Sequence, residues 1–176
     1  MFFFLFFSFL VIQRIGELVY AKRNERWMKR RGAQEFGASH YPLIVLLHAS
    51  FFIALWIEVQ WKQMQLHPLW PLIFCVFLVL QMIRLWTISS LGRYWNTKIL
   101  VLKHEKAVNK GPFKYVRHPN YLVVTGELIL IPLMFQAYGT LVLYFILNQM
   151  MLAIRIPVEE KALNQWTDYS EAFTKR

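Results

Sequence analysis

Two short segments of the chain carry residue types that can do chemistry. One runs Gly111-Pro112-Phe113-Lys114-Tyr115-Val116-Arg117-His118-Pro119-Asn120-Tyr121-Leu122, and the other runs Arg155-Ile156-Pro157-Val158-Glu159-Glu160-Lys161-Ala162-Leu163. Pro119 suits the first turn of a helix, where its missing N–H would have no partner anyway. His118, Asn120 and the free backbone N–H groups then gather at a helix N-terminus, which favours negative groups and hydrogen-bond acceptors. Arg155 offers an always-charged fork that grips a carboxylate or enolate through paired hydrogen bonds. Each segment alone has a plainer reading. Arg-His-Pro serves as interfacial anchoring and a helix start, and Glu159 and Glu160 serve as dipole-favoured acids in the first turn after Pro157.

The elements that must position these residues are apolar. Of 176 residues, 57% are hydrophobic and only 17% charged, against roughly 45–50% and about 25% in soluble domains. That excess excludes both disorder and an ordinary soluble fold. Apolar runs occupy about residues 2–20, 41–61, 68–91, 119–136 and 138–156, each near the ~20 residues that cross a bilayer core. Basic residues fill the segment after the first run (Lys22, Arg23, Arg26, Lys29, Arg30, Arg31), the segment before the fourth, and the tail with Arg155, Lys161, Lys175 and Arg176. The segment between runs two and three holds Lys62 alone. The positive-inside rule then puts both basic loops and the tail in the cytoplasm and the N-terminus outside. The net charge of +10 is accordingly a topology signal, with membrane lipids rather than nucleic acid as its partner. The short turn after run four makes runs four and five an antiparallel hairpin, which brings the two chemical segments to one membrane face.

Arg14 and Glu17 sit three apart within the first run and can pair on one helix face. Arg84 and Glu127 are further intramembrane charges, and such groups face protein or water and are functional candidates by default. Glu58, near a span end, reaches the interface. No two of His40, His48, His67, His104 and His118 are four residues apart, and no carboxylate cluster completes a set, so no metal is expected. The lone Cys75 reads as a small hydrophobe. The glycines form no nucleotide-binding fingerprint, so any nucleotide-bearing cofactor must be held by helices and by the long loop 92–118, whose length suits a binding role.

The two segments together resemble the signature of the isoprenylcysteine carboxyl methyltransferase family, membrane enzymes that use S-adenosylmethionine. Gly111, Phe113, Arg117, His118, Pro119 and Tyr121 match its first part; Arg155, Glu159, Glu160 and Leu163 match its second, followed by Trp166, Tyr169 and Phe173. The resemblance covers residues 93–173, and Arg23–Trp27 with Arg31–Ala33 look like small bacterial members. Val123 departs from the glycine that often follows the Tyr, and Pro157 interrupts the Arg-to-Glu turn. The resemblance implies that Lys98, Glu105, Lys106, Ala107, Val108, Phe113, His118, Pro119, Asn120, Tyr121 and Glu159 hold S-adenosylmethionine, with Arg155 meeting the acceptor. Glu159 suits an ammonium or ribose, and Phe113 and Tyr121 offer ring faces to adenine or a sulfonium.

The expectation is an all-α integral membrane protein of one domain, 1–176. It has five transmembrane helices, a cytoplasmic cofactor-binding loop at 92–118 and an amphipathic C-terminal tail at 157–176. It is expected to lie in a bacterial plasma membrane and to methylate an acidic oxygen of a lipid-like or lipidated substrate, such as prenylcysteine carboxylate or an alkylpyrone enol. Two other readings stand beside it. Membrane sterol reductases, which bind NADPH, also resemble the Arg-His-Pro-Asn-Tyr run, and a non-catalytic membrane scaffold would need neither cofactor.

Overall fold

The computed structural model describes residues 1–174; Lys175 and Arg176, expected with the cytoplasmic tail, and the side chain of Phe173 lie outside the described residues. The chain is mostly helical: α1 Phe2–Arg30, α2 Tyr41–Trp61, α3 Trp70–Leu91, α4 Pro119–Met134, α5 Tyr138–Trp166 and the short α6 Tyr169–Thr174. Four of these, α1, α2, α3 and α5, are long and apolar enough to cross a membrane. The fourth expected run is shorter: α4 has 16 residues, about 24 Å at 1.5 Å per residue. It stops at Met134, because Gln136 turns to positive φ and the N–H groups of Gln136 and Ala137 fold back onto the carbonyls of Leu133 at 3.2 Å and Pro132 at 2.8 Å.

Two further features depart from expectation. The fold is not purely α: β1 Gln34–Phe36 and β2 Ile99–Val101 pair antiparallel, with Glu35 opposite Leu100. Here the apolar run Ile99–Leu102, buried throughout, finds its backbone partners in the segment that follows α1. The second correction concerns Pro157, which does not end the fifth helix: α5 continues through it to Trp166. The proline lies at an exposed position, so its ring occupies the outer surface and only one ladder bond is lost. Arg155 and Glu159 therefore stay one helical turn apart on the same face.

The basic end of the molecule is assembled around the last turns of α1. Asn24 is buried and donates from Nδ2 to the carbonyls of Trp95 at 2.7 Å and Gly92 at 3.2 Å. At the opposite end, Phe3 and Phe6 of α1 meet Phe135 and Phe77 at centroid distances of 5.0 and 5.1 Å. Glu58 also lies there, and it does more than reach the interface. It accepts from the backbone N–H groups of Gly139 at 3.0 Å and Thr140 at 2.6 Å, capping the open N-terminus of α5.

Between the two ends the expected Arg14–Glu17 pair forms at 3.1 Å and proves to be part of a larger network. Arg84 binds Glu127 at 2.8 Å and also Glu17, while Arg14 reaches Glu127 as well. Gln81 donates to Glu127 at 2.7 Å, and Gln13 donates to Gln81 at 2.7 Å. Two cations and two carboxylates cancel, so α1, α3 and α4 are tied at mid-depth without net charge. Removing one partner would strand another, which costs about 3–5 kcal/mol in a buried pair.

The distribution of basic residues predicts that Lys103 lies in the cytoplasm and Met1 outside. With Cys75 replaced, a Lys103→Cys variant should resist a membrane-impermeant thiol reagent in intact cells and react after lysis. A cysteine added beside Met1 should react in both. Labelling of position 103 in intact cells would reverse the orientation.

Candidate functional site

Helix α4 begins at Pro119, with His118 at the capping position. Its first turn therefore faces the loop that descends from α3. That loop is pinned at Gly111, whose φ of +59° places it where a side chain would collide with Ser90 on α3. The 3-10 turn Gly111–Lys114 buries Pro112 and Phe113 against the bundle, and the N-terminus of α4 comes to lie beside the last turns of α5.

Arg155, buried with only 8% of its surface exposed, is fastened twice. Its Nε donates to the Tyr121 hydroxyl at 2.8 Å and its Nη2 donates to the Thr97 carbonyl at 2.6 Å. The Tyr121 hydroxyl in turn donates to Glu159. A neutral hydroxyl thus bridges the guanidinium and the carboxylate, and Nη1 stays available. His118 stacks on Tyr121 with centroids 5.3 Å apart, and its Nε2 lies 3.0 Å from Glu160. Arg117 adds a looser contact to Glu160 at 3.8 Å.

Two compartments meet at this point. The larger, of about 480 Å³, runs between α1, α2, α4 and α5 and is walled by apolar side chains such as Val11, Ile15, Val45, Phe52 and Leu152. Arg155, Pro119, Asn120 and Tyr121 stand at its basic end. The smaller, of about 160 Å³, lies under the loop and is lined by β2, by Glu105, Lys106, Ala107 and Val108, and by Thr167 and Tyr169. Lys98, Phe113, His118 and Glu159 line both. Every residue singled out in the sequence as a cofactor or acceptor contact thus lines one compartment or the other.

Sequence reasoning did not foresee how Lys98 is held. Its Nζ lies 3.1 Å from Glu25 and 3.1 Å from Glu35, and it rests over the Tyr41 ring. Partial burial works against its charge, but the hydrogen bonds to Glu25 and Glu35 outweigh that and hold its pKa above the usual lysine range. Glu35 is likewise held below the usual carboxylate range, because the contacts to Lys29 and Lys98 outweigh its partial burial. Lys98 therefore serves as a fastening between α1, β1 and the loop as well as a wall of both compartments. Tyr41, Asn96 and Thr97 were also missed: the Tyr41 and Thr97 hydroxyls meet at 3.1 Å, and Asn96 donates to the Ala21 carbonyl at 3.1 Å. Their signal would have required knowing that α2 returns to the loop.

The residues present fit a cofactor that is at once cationic, anionic and aromatic. Trp95 Nε1 and Asn120 Oδ1 are buried on the wall of the larger compartment without a hydrogen-bond partner. An orphaned donor and an orphaned acceptor cost free energy unless a ligand completes them. Glu159 supplies a carboxylate for a cationic group.

The sequence pattern of the Isoprenylcysteine carboxyl methyltransferase (ICMT) family matches residues 71–165. The chain belongs to that family. This membership sets it among the membrane methyltransferases, and among the two resemblances carried by the Arg-His-Pro-Asn-Tyr run it favours that one over the sterol reductases. Two bacterial proteins are similar over nearly their whole length. The "uncharacterized protein YpbQ" of Bacillus subtilis is 46% identical over 165 residues, covering 94% of this chain and 98% of its own. An "uncharacterized protein" of Haemophilus influenzae is 27% identical over 159 residues, covering 90% and 92%. No solved structure matches significantly.

The bridging hydroxyl of Tyr121 makes a direct prediction. Tyr121→Phe removes the hydroxyl that bridges Arg155 and Glu159, so the two should close into a direct ion pair. Unfolding in detergent should then change by no more than about 1–2 kcal/mol, while methyl transfer falls with both charges engaged by each other. An unchanged rate would show that the hydroxyl does not hold them apart.

Proposed function

We propose that this protein is an S-adenosylmethionine-dependent O-methyltransferase of the bacterial plasma membrane. In this reading α4 crosses the membrane as a fifth span, and the basic end faces the cytoplasm. The acceptor is an acidic oxygen, a carboxylate or enol, on a lipid-like substrate. The observation that carries the reading is the buried Arg155, whose guanidinium lines the apolar compartment one helical turn from Glu159, which lines both that compartment and the polar one under the loop.

S-adenosylmethionine, when bound, supplies an electrophilic methyl group on a sulfonium, and its thioether is the leaving group. The chain's own residues bind and align. Glu159 holds a cationic part of the cofactor, and Trp95 Nε1 and Asn120 Oδ1, without partners on the wall, donate to and accept from its polar groups. Arg155 receives the acceptor's anion on its free edge. An acceptor already ionised at neutral pH needs no general base, so catalysis rests on alignment and exclusion of water. A lipid tail explains why the acceptor compartment is walled by Val, Ile, Leu and Phe rather than opening to water. Prenylcysteine carboxylate and a long-chain alkylpyrone enol both meet these requirements.

Glu159→Gln should weaken S-adenosylhomocysteine binding, measured by calorimetry, by about 1–3 kcal/mol, the value of a charge-assisted hydrogen bond. Arg155→Ala should leave that binding nearly intact while the transfer of labelled methyl groups into lipid extracts falls about a hundredfold. Equal weakening of cofactor binding by both would refute this division of labour. Protein that binds no S-adenosylhomocysteine and labels no lipid would refute the reading itself.

His118 separates cofactor binding from proton transfer. Its ring stacks on Tyr121 and its Nε2 is engaged by Glu160, a geometry for holding rather than for abstracting a proton. His118→Ala should raise the apparent KM for S-adenosylmethionine with a smaller fall in kcat and an unchanged pH profile, the form that lost uniform binding takes. Normal cofactor affinity with a lost pH limb would instead make it a general base.

A further inference from the structure

The larger compartment has a second polar tier that the proposed reaction does not use. Its walls are apolar, yet Arg14, Glu17, His48 and Asn148 all open into it. Three helices give the depth of this tier below the reacting end. Tyr41 to His48 on α2, Tyr121 to Glu127 on α4 and Arg155 to Asn148 on α5 span seven, six and seven residues, or about 9–10.5 Å at 1.5 Å per residue. Tyr41, Tyr121 and Arg155 belong to one level, joined through Thr97 and the Tyr121 hydroxyl. Glu127 is bound to Arg14, so the ion-paired network marks the other level.

Arg84 and Glu127 are buried and fully engaged with each other and with Glu17 and Gln81, and they account for the network's role in tying helices together. The cavity-facing groups go beyond that role. Arg14 keeps 21% of its side chain accessible. His48 Nδ1 lies 2.8 Å from the Ile44 carbonyl one turn back, so it carries the proton and Nε2 is left as an acceptor with no partner. Asn148 spends its Nδ2 on Thr125 at 2.9 Å. A donor and an acceptor thus line one space with apolar walls. The paired charges cancel, so the tier attracts no ion. A hydrocarbon chain filling this space would desolvate His48 and Arg14 and give nothing back. A hydroxyl would donate to His48 Nε2 and accept from Arg14.

We infer that this tier is a second recognition site in the acceptor compartment, selecting a lipid chain that bears a hydroxyl group about 9–10.5 Å from the oxygen that is methylated. The inference rests on reading the compartment as the lipid site, and it narrows the acceptor from plain hydrocarbon-tailed acids to oxygenated ones. A site built to hydrogen-bond a substrate hydroxyl discriminates strongly against the analogue that lacks it.

The test uses binding alone, so it does not depend on methyl transfer. The protein in phosphatidylcholine nanodiscs is titrated with two probes: a saturated long-chain fatty acid, and the same acid with a single hydroxyl about 9–10.5 Å from its carboxylate. Intrinsic tryptophan fluorescence gives dissociation constants expressed as mole fraction in the bilayer. The hydroxy acid should bind at least about tenfold more tightly. His48→Leu should bring the two constants together, and His48→Gln, which restores an acceptor, should recover part of the ratio. Arg155→Ala should weaken both acids alike and preserve the ratio. Equal binding of the two acids by the native protein overturns this inference and leaves the proposed function standing. Failure of both to bind overturns it together with the lipid reading of the compartment. The native ratio decides the matter even if a His48 variant does not fold.

Discussion

The structure depends on how one guanidinium is held at the boundary between an apolar interior and a polar loop. Arg155 is buried on α5 and cannot be left without partners there. It takes a backbone carbonyl from the loop, at Thr97, and a side-chain hydroxyl from α4, at Tyr121. Those two bonds fix where the loop crosses the mouth of the bundle and how the first turn of α4 faces α5. Once Tyr121 is fixed, His118 stacks on it and Glu159 accepts from it. That anchoring shapes one side of the wall shared by the two compartments, and Lys98 and Phe113 complete it from the loop.

The loop must also be held from its other side, and α1 does this. Its last turns run beyond the apolar stretch, and Asn24 there captures the carbonyls of Trp95 and Gly92. Glu25 together with Glu35 of β1 clamps Lys98. The β1–β2 ladder then closes the loop onto α5 through Val101, Ala162 and Trp166, with Phe36 packed on Trp166 at 5.5 Å. Neutralised charge pairs and satisfied carbonyls let a polar loop of this length sit against an apolar bundle, while the Trp95 indole N–H stays unpaired on the wall of the larger compartment.

Much of this was legible in the sequence because it is written in local terms. The apolar runs, the Pro119 helix start, the short hairpin turn and the Arg14–Glu17 spacing each depend on neighbours along the chain, and each has its counterpart in the fold. Pro157 was read as a break because a proline inside a helix usually removes a bond and clashes with the preceding turn. Its exposed position turns the ring outward and the helix survives. The β1–β2 pairing escaped notice because three-residue strands carry too little periodicity to register. The fastening of Lys98 by Glu25 and Glu35 joins residues more than sixty positions apart, and no spacing rule reaches that far. The residues of the two chemical segments were legible as a set. The bridge through Tyr121, which orders them, was not.

That bridge matters for the electrostatics of the site. Arg155 and Glu159 lie four residues apart on one helix face, the spacing at which opposite charges ordinarily pair. Had they paired, each would neutralise the other, and the pocket would offer neither a cation to an acidic acceptor nor an anion to a cationic cofactor. A phenolic hydroxyl between them accepts from one and donates to the other. Both stay oriented, and neither is consumed by the other. Arg155 keeps Nη1 for a ligand on the apolar side, while Glu159 lines both compartments. Two charges of opposite sign held apart by one neutral group suit a reaction whose partners carry opposite charge and must meet in line.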